Sequence, residues 1–334
     1  MARAAHKSVL AKETVDALAP RDGGIYVDAT FGAGGISRAL LERADCSVLA
    51  IDRDPEAIER SAPMRRDFAG RFEIVEGRFG AMEVLLKPAL ERKGRRDVDG
   101  VTFDLGVSSP QLEEAERGFS FQTDGPLDMR MGRDGPTAAD LVNEAHEREL
   151  ESLIREYGEE RQARRIAHAI VEARKEKRIT RTIELAGIVA RAARGKPGER
   201  IHPATRTFQA LRIALNDELK ELALGLSAAE RLLKEAGRLA VVSFHSLEDR
   251  IVKLFLSERG KAQAAPSRHL PPAADGDAID QSFRVLTKRP ISPSDAEIQD
   301  NARARSAKLR VAERTGAPSS KLDLARLGIV EKAR

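Results

Sequence analysis

Asp28, the glycines of Gly32-Ala33-Gly34-Gly35 and Asp52 are spaced as a nucleoside site requires. Glycines let a backbone turn tightly and approach a ligand with no side chain in the way. An acid closing the following strand accepts hydrogen bonds from ribose hydroxyls. A second stretch, Asp104-Leu105-Gly106-Val107-Ser108-Ser109-Pro110-Gln111, suits chemistry on an aromatic amine. Such an amine is a poor nucleophile because its lone pair is delocalised into the ring. Acceptors aimed at its N–H bonds draw it towards tetrahedral geometry and free the lone pair. The Asp104 carboxylate and the oxygens of a turn at Ser109-Pro110, with the carbonyl before the proline facing outward, can supply them.

The cofactor that fits the glycine turn is narrowed by Ser37. A dinucleotide fingerprint G-x-G-x-x-G needs glycine at that position. The pattern here is D-x-x-x-G-x-G-G, of the kind carried by class I methyltransferases. Their ligand, S-adenosylmethionine, has no pyrophosphate to seat on a helix N-terminus. NAD remains the alternative on these residues alone.

Other residues bear on the reaction type. Methylating carbon 5 of a pyrimidine requires a thiolate to add to the ring first. The one cysteine, Cys46, begins the second strand, whereas ligands sit at the strand's other end. Direct transfer to nitrogen or oxygen is therefore expected. Phe79, after the third strand, has two readings, a stack on adenine or a core aromatic. His245, within Ser243-Phe244-His245-Ser246-Leu247-Glu248-Asp249-Arg250, is a candidate for orienting a base. Ser246 and Asp249 fit a capping box that opens the next helix.

These residues need a sheet to hold them. Strand-like runs fall at 25–28, 47–51, 72–76, 98–105, 238–244, 283–287 and 307–311. Helical stretches near 54–66 and 80–93 alternate with the early strands, which indicates a parallel sheet wound with helices. From about Ala138 to Leu226 the chain reads as helix alone, including one beginning at Pro203 with Phe208, Leu211, Leu215, Leu219, Leu222 and Leu226 on one side. The expected fold is α/β: a Rossmann-like class I methyltransferase sheet (1–112 and 227–334) with a smaller inserted all-helical domain (113–226). Residues 262–282, rich in proline, read as a flexible loop.

Composition bounds the partners. Of 334 residues, 41% are hydrophobic and 33% charged, with a net charge of +4. Residues 161–200 hold twelve Lys/Arg against four Glu, so this segment carries +8 and the remainder −4. On its helix, Arg161, Arg164, Arg165, His168 and Lys175 lie opposite the apolar stripe Ala163, Ile166, Ala167 and Ile170. Concentrated basicity points to a polyanion such as nucleic acid, with a solvated helical face as the plainer alternative. No apolar run approaches ~20 residues and no signal-peptide stretch opens the chain, so a cytoplasmic protein with no membrane span is expected. One cysteine and scattered histidines give no basis for a disulfide or a metal.

Taken together, the motifs resemble the RsmH/MraW family, the bacterial small-subunit ribosomal RNA cytidine N4-methyltransferases. The matching stretches are His6 to Leu10, Asp28 to Gly35, Ala50 to Pro55, Asp104 to Leu112, Glu116 to Phe121, Asp124 to Met131, Tyr157 to Arg161, His202 to Arg212, Ser243 to Arg250 and Arg303 to Ser306. The resemblance implies S-adenosyl-L-methionine as cofactor, contacted through Gly34, Gly35, Ile36, Asp52, Phe79, Asp104 and Gln111. It implies a catalytic set of Asp104, Ser109 and Pro110 and an N4-methylcytidine product in the decoding region. RNA contacts are expected from Arg161, Arg164, Arg165, Lys175, Arg206 and His245, the acceptor being free small-subunit RNA or the assembled subunit. Ile36 stands where the family usually has histidine. A non-catalytic RNA-binding ribosome assembly factor, an NAD-dependent oxidoreductase and a DNA methylase are the competing readings.

Overall fold

The computed structural model describes residues 8–193, 202–260 and 281–329. His6 and Lys7, most of the proline-rich stretch 262–282, and Arg194, Lys196 and Arg200 of the basic segment lie outside the described residues. The chain divides into two compact units, 1–106 with 219–334, and 107–218.

The first unit opens with α1 (Ala11–Leu18), β1 (Ile25–Asp28), α2 (Gly35–Arg43), β2 (Ser47–Asp52), α3 (Pro55–Arg60), α4 (Ala62–Asp67), β3 (Phe72–Glu76), α5 (Met82–Arg92) and β4 (Val98–Asp104). The chain then makes α6 (Ser109–Glu113), α7 (Ala138–Glu144), α8 (Glu147–Gly158), α9 (Ala163–Glu176), α10 (Thr182–Ala192) and α11 (Ala204–Asn216). It closes with α12 (Glu218–Leu232), β5 (Leu233–Ser243), α13 (Ser246–Gly260), β6 (Phe283–Val285), α14 (Asp295–Asp300) and β7 (Lys308–Arg314).

The seven strands form one sheet in the order β3-β2-β1-β4-β5-β7-β6. β1 to β5 run parallel, and β7 is antiparallel to both β5 and β6. This is the expected Rossmann-like sheet. Alternation along the strands feeds two apolar layers. Ile25, Val27, Val101 and Phe103 pack with Leu86 of α5, Leu226 of α12 and Phe255 of α13. Tyr26, Val48 and Ala50 pack with Leu18 of α1 and Leu40 of α2. Successive strands run outward from β1 in one direction to β3, then restart at β4 on its other side. Open sheets of this kind bind ligands at the carboxyl ends of the two strands flanking that reversal. Asp28 and Asp104 close those two strands.

Three expectations need correction. The single helix expected over 54–66 is two short ones, α3 and α4, meeting at Ser61. The stripe from Phe208 to Leu226 is carried by two helices, because Asp217 adopts the left-handed conformation (φ 58°) and ends α11. Phe208, Leu211 and Leu215 belong to the core of the helical unit, whereas Leu219, Leu222 and Leu226 belong to the sheet. The units accordingly change over at 106/107 and 218/219, not at 112/113 and 226/227. Val107 and Leu112 pack with the helical core, which draws α6 out of the sheet unit.

Candidate active site

The glycine turn is dictated first by its own packing. Gly34 sits at φ 78°, and a Cβ there would come within 2.7 Å of the Phe31 ring. A Cβ on Gly35 would lie 2.5 Å from Ser8 Oγ. No other residue fits either position without displacing a neighbour. The Ile36 side chain, 2% exposed, is packed in the layer that holds Leu40, so what it can offer a ligand is backbone.

Asp52 closes β2 with both carboxylate oxygens engaged. Oδ2 accepts from the Gly32 N–H at 2.7 Å, and Oδ1 accepts from the Asp54 N–H at 2.9 Å. Each oxygen keeps a further lone pair for a hydroxyl. Burial holds the Asp52 carboxyl above the usual range, against the pull of those two N–H donors. The half-buried Phe79 meets Phe103 edge-on, with ring centroids 5.4 Å apart and planes at 82°. A Cβ on Gly225 would lie 2.5 Å from Phe79 Cδ2, so glycine in α12 is what admits the ring.

The ends of β1 and β4 are joined through Thr30, whose N–H donates to Asp28 Oδ1 at 3.3 Å. Its Oγ1 accepts from the Asp104 N–H at 2.6 Å. Burial pushes the Asp28 carboxyl up to about 6, opposed by the Ser37 hydroxyl that donates to it. Asp104 is pushed up to about 8, by burial first and then by the like charges of Asp28 and Glu248. Its Oδ1 is closed off from solvent and has no hydrogen-bond partner among the described residues.

The stretch after β5 is arranged differently from the expected capping box. Glu248, not Asp249, reaches back to the loop, its Oε2 accepting from the N–H groups of Phe244 (2.8 Å) and His245 (3.2 Å). Asp249 instead pairs with Lys308 (3.0 Å) and Arg310 (2.7 Å) of β7. His245 Nε2 stands 3.1 Å from Glu248 Oε1 without the alignment of a hydrogen bond. His245 is thus held against an acid in the first turn of the helix that follows it. Glu248 carries a sequence signal of its own, an acid three residues after His245, one register earlier than Ser246 and Asp249.

Ser109, Pro110 and Gln111 lie in the helical unit. Ser109-Pro110 is not a free turn but the first turn of α6, where proline costs nothing because its missing N–H has no helical partner. The Pro110 carbonyl is taken by the Glu114 N–H at 2.9 Å. The buried Gln111 puts its Oε1 on the Ser108 N–H at 3.0 Å, completing a capping box.

In α9 the stripe Ala163, Ile166, Ala167 and Ile170 is fully buried. Arg161, Arg164, Arg165 and Lys175 are exposed. Lys175 pairs with Glu172 (2.6 Å), Arg206 with Glu160 (3.6 Å) and Arg178 with Asp140 (2.7 Å). Arg174 caps α7 by donating to the Val142 and Ala145 carbonyls, both at 2.8 Å. Much of the basic segment thus has acidic or carbonyl partners within its own unit.

Residues 3–315 match the MraW methylase family. A protein called ribosomal RNA small subunit methyltransferase H from Parvibaculum lavamentivorans is 57% identical over 97% of this chain and 93% of its own. The protein of the same name from Rhodopseudomonas palustris strain CGA009 is 58% identical over 95% of this chain and 92% of its own. Among solved structures, an rRNA methylase from Streptococcus thermophilus aligns over 91% of this chain and 93% of its own, at 11% identity and a TM-score of 0.39.

Proposed function

The chain belongs to the MraW methylase family, and from that premise we propose that it is an S-adenosylmethionine-dependent methyltransferase of small-subunit ribosomal RNA, acting on N4 of a cytidine in the decoding region. The observation that carries the site is the unpartnered Asp104 oxygen beside Asp28 and Glu248 at the strand reversal. Acids gathered with no cation paired to Asp28 or Asp104 among the described residues suit a ligand that brings positive charge. S-adenosylmethionine does so, and when bound it supplies a methyl group on a cationic sulfur.

The protein's own part is positioning. Asp52 accepts the ribose hydroxyls, Phe79 flanks the base, and the backbone at Gly34, Gly35 and Ile36 follows the ligand's edge. Asp104 orients the acceptor amine, and Ser109, Pro110 and Gln111 are the further site residues that the family motif proposes. Holding two reactants together replaces a bimolecular encounter and accounts for most of what such a site contributes. The basic face of α9, Arg206 and His245 are the proposed RNA contacts, on free RNA or on the assembled subunit. No described helix is long and apolar enough to cross a membrane, and a cytoplasmic setting goes with the proposed substrate.

The deciding experiment is mass spectrometry of small-subunit RNA nucleosides from cells with and without the gene. Loss of N4-methylcytidine supports the reading. An unchanged nucleoside profile, together with salt-sensitive RNA binding by the purified protein, favours a non-catalytic assembly factor.

A further inference from the structure

The three acids around the strand reversal are not equivalent. Asp28 accepts bonds from Ser37 Oγ and the Thr30 N–H. Glu248 accepts from two backbone N–H groups and faces the His245 ring. The Asp104 carboxyl has an oxygen with no donor among the described residues. Thr102, register partner of Asp28 and two residues before Asp104, also leaves its hydroxyl without a partner among the described residues. Among the described residues, the charges that act on Asp104 are those of Asp28 from β1 and Glu248 from α13, both acids. The cations of β7, Lys308 and Arg310, are committed to Asp249. Donors favour the charged form of an acid, and neighbouring negative charge favours the neutral one. The group with the fewest donors is the one that keeps the proton.

We propose that Asp104 holds a proton until the cationic cofactor binds, gives it up to solvent at that moment, and as a carboxylate later takes the proton that the acceptor amine must lose. The inference rests on the reading of the site given above. Its balance is simple. On binding, the Asp104 O–H bond breaks, the proton goes to the buffer, and the incoming positive charge replaces it as counter-ion. After methylation an N–H bond of the acceptor breaks, the electron pair stays on nitrogen, and the Asp104 oxygen regains a proton. The proton of the overall reaction is therefore released at the binding stage. Asp28 and Glu248 are positioning residues here, because their charges set how firmly Asp104 keeps its proton.

The test is calorimetry on the intact protein near pH 7, in buffers of differing ionisation enthalpy. About one proton should be released per S-adenosylmethionine bound, and clearly less with S-adenosylhomocysteine, whose sulfur is neutral. Asp104→Asn should abolish that difference. Glu248→Gln should move the release to lower pH by about one unit, which keeps the test open should Asp104→Asn fail to fold. S-adenosylmethionine binding with no proton released overturns the inference and leaves the proposed function standing. Failure of both compounds to bind overturns the reading of the site itself.

Discussion

Ser37 Oγ donates to Asp28 Oδ2 at 2.6 Å, with both residues buried. Position 37 is where a dinucleotide-binding turn carries glycine. Here the side chain secures the acid that closes β1, and so sets the electrostatics of the strand reversal.

Removing that hydroxyl should show in stability. Ser37→Ala deprives a buried carboxylate of a donor and should cost about 1–3 kcal/mol. With its pKa already at about 6, Asp28 is mostly ionised at pH 8 and mostly neutral at pH 5. Urea unfolding at both values should therefore find the larger loss at pH 8.

Asp104 makes the free protein less stable as pH rises. Its folded pKa of about 8 lies above the unfolded value, so the folded state binds more protons and stability falls between about pH 4 and pH 8. Asp104→Asn should flatten this dependence and, at pH 8, stabilise the ligand-free protein by at least about 1 kcal/mol. Melting temperatures across that range check it.

Gly225 tests Phe79. A Cβ at 225 would lie 2.5 Å from the Phe79 ring and 3.0 Å from Phe103. Gly225→Ala should push the Phe79 ring aside and weaken S-adenosylmethionine binding about tenfold by calorimetry, roughly the worth of one aromatic contact.

Arg259 and Glu230 are paired at 2.6 Å with both side chains buried. Glu230 also receives Ser282 Oγ at 2.6 Å and the Ser320 N–H at 3.1 Å, tying down the segments before β6 and after β7. Arg259→Leu leaves that carboxylate without its cation and should cost about 3–5 kcal/mol in denaturant unfolding. Adding Glu230→Gln should recover part of the loss.

Among the basic residues, partners separate the free from the committed. Arg161 and Arg164 are exposed and have no ion-pair partner among the described residues, whereas Lys175 is paired with Glu172. Charge removal at Arg161 or Arg164 should lower the slope of log RNA affinity against log salt by about 0.7 for a single-stranded contact. Lys175→Ala should change it less.

The strand ends were legible in sequence because a buried parallel strand is a short apolar run and the acid terminating it is conspicuous. Asp28, Asp52 and Asp104 were placed that way, and so was the apolar stripe of α9. Cys46 was likewise placed by its position in the chain, at the end of its strand away from the ligand edge. Cys46 precedes β2, opposite Asp52, and burial pushes its thiol up to about 11, which leaves no nucleophile there.

What linear order hides is which of several equivalent partners a group takes. Leu215 and Leu219 are four residues apart on a continuous stripe, yet serve different cores because Asp217 turns the chain between them. Asp249 and Glu248 are adjacent acids at the mouth of one helix. β7 supplies cations to the first, and the second is left to close the loop. Arg174 adds to the basic count of its segment, yet its guanidinium is spent on carbonyls at the end of α7. Residue type and spacing fix what a side chain can do. Which neighbours satisfy it, and whether its charge survives burial, depends on strands and helices that meet only after folding.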